Sequence, residues 1–457
     1  MDMINIGYFG SLAAQAQLNV TAMNIANQAT PGYSRQRADL AAIGPMGNAG
    51  MTPGNGVEVT GIRRINDQYT TGQLWRATSG SAYYGMSQQY FDGLESMLGT
   101  SSTSLGNGLD SFFAALSEAT TQPDSPALRQ QMITEANSMA TRFNSVSDYI
   151  AKQRSDLRNQ QKTTVESINT LSSGIADYNK KIMEMESSGG NTNTLRDQRD
   201  ELVRQLSAQA DVRVAEAGDG SFTVTLNSGQ PLVSGRSAGQ LNIGVDDDGA
   251  SQMTITFAGT TSSTSLDCGG QLGALHDYET GTLEEMEASV RGMASALADA
   301  FNNQLAQGFD LDGNPGKPLF TFDPTNPNGM LQVNDIGWRE LALSSDPDAP
   351  GNGDNLKALI ELKNQKMSIP DMGDISLSDA SASIISTIGS ASRQNQTEQT
   401  AADALLDQAT NQWLSVSGVD TQVEEGVNLI SYTQAYSSNL KVISTGNQIF
   451  SDMLALF

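Results

Sequence analysis

The last stretch of the chain constrains the fold most. Leu429, Tyr436, Ile443, Phe450 and Phe457 fall seven residues apart without a miss, with Val442, Ile449 and Leu456 beside them and Leu440 and Leu454 on the other flank. A heptad held this long predicts a helix from about Val423 to Phe457 that packs like a coiled coil. The remaining core position carries Tyr432, Asn439, Gly446 and Met453. Polar and small residues there weaken a two-stranded coil while selecting register or a multi-helix partner. Such a helix is ~50 Å long at ~1.5 Å per residue. Ordering its ~35 residues costs ~1 kcal/mol or more each, while burying ~10 large apolar side chains returns ~2 kcal/mol each. One neighbour is too few. Both chain ends are therefore expected to be poorly ordered in the monomer and to fold on assembly.

The beginning resembles the end. From Asp2 to Asn27, Ile4, Tyr8, Leu18, Ala22 and Ile25 recur at helical spacings, Ser11 and Gln15 hold intervening seam positions, and Phe9, Leu12, Ala16 and Met23 widen the stripe. An amphipathic helix follows, with a small-residue and amide-rich seam. It stops at Thr30-Pro31-Gly32, where proline lacks an amide hydrogen and glycine admits positive φ. Residues 1–65 and 396–457 are expected to pair as one helical, coiled-coil domain.

Between the ends the pattern is helical, then β, then helical again. Leu74, Tyr83, Tyr84, Phe91, Leu94 and Leu98 predict one or two helices over about 64–98. Ser125 and Pro126 open a long helix, 126–187, whose apolar period steps by four between Leu157 and Ile168, like a stutter. It ends at Ser187-Ser-Gly-Gly-Asn191, and Leu195, Leu202, Val203 and Leu206 predict a shorter antiparallel return. Alternation of period two then marks a β-rich insert over 211–268, with a hairpin tip at Asp246-Asp-Asp-Gly249. A helix is expected from Gln271 to Gln307. A Gly/Asn/Pro-rich stretch, 308–355, carries short strands around Leu319-Phe-Thr-Phe322 and Met330-Leu-Gln-Val333. Helices at about 355–365 and 378–415 lead to the terminal segment. The fold class is mainly α with β-rich inserts. A helical middle domain (66–210 and 269–395) carries a small β domain and a possible second β region.

Composition excludes several functions. The chain has 457 residues and 51 acidic against 26 basic side chains, a formal charge of −25. So acidic a surface repels phosphate backbones and anionic membranes, so neither nucleic acid nor membrane is an expected partner. Cys268 is the single cysteine and His276 the single histidine, with no third group to make a nucleophilic site. No phosphate-binding glycine motif is present. Asp310-Leu-Asp-Gly-Asn314 is out of calcium-loop register, with Pro315 sixth and Thr321 twelfth, and reads as a turn. Glu284-Glu285 and Glu424-Glu425 are expected on solvated helix faces. No cofactor, metal or catalytic residue is predicted. The start lacks a basic n-region, a long apolar core and a cleavage site, so no secretory signal is expected, and composition alone points to the cytoplasm.

Two signatures change that placement. Leu18-Asn-Val-Thr-Ala-Met-Asn24-Ile-Ala-Asn27 with Ala29-Thr-Pro-Gly-Tyr-Ser-Arg-Gln36 resembles the N-terminal signature of bacterial flagellar axial proteins. Its Gly32-Tyr33-Ser34-Arg35-Gln36 variant resembles the hook–filament junction (first hook-associated, FlgK) family. Val423-Glu-Glu-Gly-Val-Asn-Leu429, Gln434-Ala-Tyr436 and Lys441-Val-Ile-Ser-Thr445 are similar to that family's last helix. Leu195-Arg-Asp-Gln-Arg-Asp-Glu-Leu202, Gly269-Gly-Gln-Leu-Gly273 and Gly308-Phe-Asp-Leu-Asp-Gly313 also look like it. Asp420-Thr-Gln-Val423 departs from the family's shorter link, and the chain is short for the family, so a small or missing outer domain is expected. The resemblance implies a non-enzymatic structural subunit of the extracellular flagellum, exported without a cleaved signal and assembled through its terminal helices. Implied partners are copies of itself in a ring-like layer, the hook protein, the second junction protein and a cytosolic export chaperone on the C-terminal helix. The expected assembly contacts are Ile4, Tyr8, Leu18, Ile25, Leu429, Tyr436, Ile443 and Phe450. Alternatives are a hook, rod or second junction subunit, an ordinary intramolecular coiled coil, or an extracellular carbohydrate-active enzyme with flagellar-type ends. The last would need a carboxylate pair facing a cleft, and the β insert is short for that.

Overall fold

A computed structural model describes residues 2–44, 54–246, 251–326, 329–421 and 423–455. Leu456, Phe457 and residues 247–249 of the expected hairpin tip lie outside them.

The molecule is organised along one helix, α4 (Pro126–Ser187), 62 residues without a break and therefore ~93 Å long at ~1.5 Å per residue. Its first half buries Met132, Met139, Phe143, Val146 and Ile150, and its second half buries Val165, Ile168, Ile175 and Ile182. The two halves serve different cores. Between them the inward positions are polar, Gln161 and Thr164, at the step in the apolar period. A straight helix drifts against a seven-residue repeat, and here the drift hands the apolar stripe from one core to the other.

The first core is helical. α2 (Gln68–Gly99), α3 (Leu105–Ala119), α7 (Glu284–Leu305), α8 (Asp354–Glu361) and the start of α9 (Leu377–Ser417) surround the first half of α4. At its centre Phe112 stacks edge-on to Phe113 and Phe320 and tilted against Phe301, with ring centroids 5.2–5.9 Å apart. α3 supplies much of this core, and periodicity did not flag it. The run expected from Gln271 to Gln307 is interrupted: α6 (Gly270–Asp277) passes through a π-helical turn, Tyr278–Leu283, before α7 begins. The wide turn brings Tyr278 against Tyr90 and Phe91 and buries Glu279, which accepts hydrogen bonds from Arg158, Gln161 and Ser251.

The second core is β on helix. α5 (Asn193–Gln209) returns antiparallel to α4, and two antiparallel sheets close over the pair. One contains β3 (Val212–Glu216), β4 (Phe222–Leu226), β5 (Pro231–Ser234) and β6 (Ser237–Ala238); the other contains β7 (Gln240–Val245), β8 (Ser251–Phe257) and β9 (Thr260–Thr264). Small hairpins β10–β11 (Phe320–Phe322, Leu331–Val333) and β12–β13 (Met367–Ile369, Gly373–Ile375) complete the body.

Helical asparagines dock these β elements by one device. Asn169, Asn144 and Asn302 each give Nδ2–H to a strand carbonyl and accept the same residue's amide on Oδ1, at Leu241, Leu331 and Phe320 respectively. Asn179 does so at Phe222. A two-stranded or edge pairing leaves backbone groups without ladder partners, and a helix-borne amide satisfies one donor and one acceptor together.

Candidate assembly surface at the chain ends

α1 (Asp2–Asn27) and α10 (Glu424–Leu454) pack antiparallel. The register reads from the glycines. A Cβ on Gly446 would lie 2.7 Å from Ile4, one on Gly7 2.8 Å from Ile443, and one on Gly10 2.3 Å from Asn439. At the far end Asn24 Nδ2 donates to Glu425 at 2.7 Å. The inward face of α1 is thus Gly7, Gly10, Ser11, Ala13, Ala14, Val20, Thr21 and Asn24. That of α10 is Glu425 and Gly446 with half-buried Tyr432, Ala435 and Asn439 between them. The seam is centred on small and polar residues, and the Tyr432–Asn439–Gly446 row lies at its middle.

The expected contact residues divide between this seam and its flanks. Ile4 and Ile443 are half-buried within it, against Gly446 and Gly7; Leu18, Ile25 and Tyr436 are half-buried, and Tyr8, Leu429 and Phe450 are exposed. Leu12 and Met23 on α1, and Val427, Ile430, Ile449 and Met453 on α10, are exposed with them. Gln15, expected in the seam, faces solvent. Glycine lets two backbones approach closely, and size rather than hydrophobicity chooses the inner face.

A hairpin, β1 (Gln36–Ile43) and β2 (Gly56–Arg64), lies along α1 and was not anticipated. It begins where the two signatures quoted above meet. Asn24 repeats the docking device, giving Nδ2–H to the Gln36 carbonyl at 2.9 Å and accepting the Gln36 amide at 2.8 Å and the Tyr33 hydroxyl at 2.9 Å on Oδ1. Arg35 donates its amide to the Ser417 carbonyl at the end of α9 and pairs through its guanidinium with Glu424. Ser34 donates its amide to Asp197 of α5. Four residues, Tyr33 to Gln36, thereby clasp α1, α5, α9 and α10 together.

Glu425 corrects an expectation. It is 2% exposed rather than on a solvated face, because the start of α10 lies over Asn24, whose amide it accepts. Together with burial and Asp197, its charge pushes the Tyr33 hydroxyl up to about 12.

The α5 side of the clasp is a buried ion cluster. Arg64 Nη1 donates to Asp197 at 3.1 Å and Asp200 at 2.6 Å. Burial outweighs that cation at Asp197 and pushes its carboxyl up to about 6. Arg199, fully buried, donates to Asn179 and the Gly220 carbonyl and lies 3.3 Å over the Phe222 ring. Burial lowers its guanidinium to about 10. The Leu195–Leu202 signature is thus a structural node joining the β core to the chain ends.

Reactive groups elsewhere do not converge. Cys268 is fully buried in the β core and its thiol is pushed up to about 12 by burial, which disfavours the nucleophilic thiolate. Asp310 accepts the amides of Asp312 and Asn314, as a turn requires. Among the described residues no group of three or more His, Cys, Asp or Glu could hold a metal ion, and no helix is long and apolar enough to cross a membrane.

The chain matches known proteins over this whole architecture. It is 27% identical over 552 residues to flagellar hook-associated protein 1 of Salmonella typhimurium, covering 99% of each chain. It is 26% identical over 488 residues to that of Bacillus subtilis, covering 97% of this chain and 95% of the relative. The Salmonella alignment is longer than the 457 residues present here, so that relative carries segments this chain lacks. Among solved structures, the flagellar hook junction protein FlgK from Burkholderia pseudomallei superposes with a TM-score of 0.70 at 18% identity, over 76% of this chain and all of that one. The model of the flagellar basal body rod FlgEFG protein C-terminal region matches residues 410–456, across the end of α9 and α10. The model of the flagellar hook-associated protein FlgK helical domain matches residues 91–320, half of the sequence, and the chain belongs to that family.

Proposed function

We propose that the chain is a structural, non-enzymatic subunit of the junction between hook and filament, assembled through α1 and α10. The observation that carries this reading is the antiparallel pair itself. It is nearly free of charge on α1, where Asp2 is the only side chain charged at pH 7, and it displays apolar side chains on faces its own partner does not cover. Those faces suit neighbouring copies arranged in a ring-like layer, and Ile4, Tyr8, Leu18, Ile25, Leu429, Tyr436, Ile443 and Phe450 are the residues proposed to meet them. The small and polar seam supports the view that the pair is marginal alone and is completed by neighbours.

On this reading the hook protein lies on one side and the second junction protein on the other. A cytosolic chaperone covers the apolar faces of α10 before export. The proposed working units are 1–65 with 396–457 at the axis, 66–210 with 269–395 as the helical body, and 211–268 as the β insert. Electron microscopy of a deletion strain tests the reading: hooks without filaments are expected, and normal filaments would refute it. Removing about 25 N-terminal residues, the length of α1 (~38 Å), should stop secretion, and unchanged secretion would refute the export role of that helix.

A further inference from the structure

Among the concave sites that α1 and α10 leave open, one is walled by two tryptophans. α2, α5, α9 and the loop after α1 enclose a cavity of about 340 Å³ walled by Trp75, Trp413, Leu74 and Leu406. Its rim carries three acids, Asp200, Glu201 and Asp407, and one cation, Arg204, which is taken up by Glu201. Asp407 is the informative member. Asp200 is buried and paired with Arg64 and Arg199, and Glu201 with Arg204, whereas Asp407 has no ion-pair partner among the described residues. Indole faces beside carboxylates form a receptor for a guanidinium or ammonium group.

The complementary surface lies on the same molecule, at the same level along α1. Ser34 lines the cavity, and Gln36 starts the β1–β2 hairpin. On that hairpin Arg37 and Arg63 are direct cross-strand partners, 57% and 59% exposed, and share one carboxylate, Asp39. Leu40, beyond the bulge at Asp39, is exposed beside them. A cationic and apolar patch thus matches an aromatic and acidic cavity. In a chain of net charge −25, contact between copies requires such a local reversal of sign. No hairpin residue lines the cavity, so each copy offers both surfaces at once. A contact of that kind is heterologous and repeats head to tail, closing into a ring where the rotation permits.

We propose that the Arg37–Arg63 patch of one copy docks into the Trp75–Trp413 cavity of the next, with a guanidinium against the indoles and the acidic rim. This rests on the self-assembly reading above. The test uses full-length protein in flagellated cells carrying Arg63→Cys and Asp407→Cys, since the buried Cys268 leaves no reactive background. After mild oxidation, purified flagella should yield a ladder of cross-linked copies with both cysteines and none with either alone. Flagella that contain the doubly substituted chain but yield no ladder would overturn the docking proposal; flagella lacking even the native chain would instead defeat the self-assembly reading. As a second arm, Asp407→Arg should lower filament attachment by about tenfold, the loss expected for one interfacial charge pair turned repulsive. Adding Arg63→Asp to the same chain should restore it, and failure of that rescue would overturn the pairing.

Discussion

Replacing Gly7 by alanine separates close packing from helix propensity, because the two act with opposite sign. In an isolated helix the substitution stabilises by about 1 kcal/mol. In the pair, the new Cβ would sit 2.8 Å from Ile443 Cγ1, 3.0 Å from the Asn439 carbonyl oxygen and 3.3 Å from the Ile443 amide nitrogen. Carbon contacts settle at about 3.5–4.0 Å, and two of the three obstructing atoms are helix backbone that cannot rotate away. α10 must therefore retreat, which loosens the contacts at Gly10 and Gly446. Overpacking of this kind costs about 1–3 kcal/mol, so after the propensity gain the pair should lose up to about 2 kcal/mol net, a factor of up to about 30 in its closing constant. Gly80→Ala in α2 is the control, since nothing lies within 4 Å of its Cβ and only the propensity gain of up to about 1 kcal/mol remains. Amide exchange through residues 439–446, read in sulfate to strengthen burial, reports the closing constant. Lower protection for Gly7→Ala and higher global stability for Gly80→Ala are expected. If Gly7→Ala protects α10, the close-packed seam is wrong.

Three further outcomes test the rest of the architecture. Asn24→Ala removes the partner of the Gln36 backbone, the Tyr33 hydroxyl and Glu425, leaving buried groups unpaired, and thermal unfolding should report a loss of about 2–4 kcal/mol; a loss below about 0.5 kcal/mol, the surface-substitution range, would remove the clasp from the account. Asp197, with its carboxyl raised to about 6 by burial, holds its proton more tightly folded than unfolded. Its contribution is therefore fully present below about pH 4 and lost as pH rises through 6, so the slope of denaturant stability over that window should flatten in Asp197→Asn, and an unchanged slope would assign it elsewhere. Phe112→Ala empties the centre of the aromatic cluster on α3 and should cost about 3–5 kcal/mol in urea titrations, whereas a surface-like effect would contradict the placement of that helix.

The sequence revealed the long elements and hid the ones that depend on partners. α4 and α1 appeared with their ends, because proline, glycine and an unbroken apolar period act locally. The β insert appeared through its alternation at Phe222, Val224 and Leu226. α3 did not, since its bulk sits in a short segment with glycine at 106 and 108 and is stabilised by Phe301 and Phe320 far along the chain. The β1–β2 hairpin was hidden for the same reason: its first residue is held by Asn24, and asparagine inside a helix carries no strand signal. Pairing each helical asparagine with a distant short strand would have been the clue, but only the folded chain shows which carbonyl it meets. The seam of the terminal pair was misphased on α1 because large apolar residues drew the stripe, whereas glycine and alanine chose the inner face.

That inversion explains why the two ends differ from the body in charge as well as packing. If Tyr8, Leu12 and Met23 lay inside an intramolecular seam, α1 would present less apolar surface outward and would gain less from a neighbour. With Gly7, Gly10 and Ala14 inside, the same helix spends its smallest residues on its own partner and keeps Tyr8, Leu12 and Met23 outward. On α10 the acidic side chains are Glu424 and Glu425, which Arg35 and Asn24 engage, and Asp452 near its end. Copies can then approach through α1 without bringing like charges together, while their acidic bodies repel any contact that lacks a matched patch.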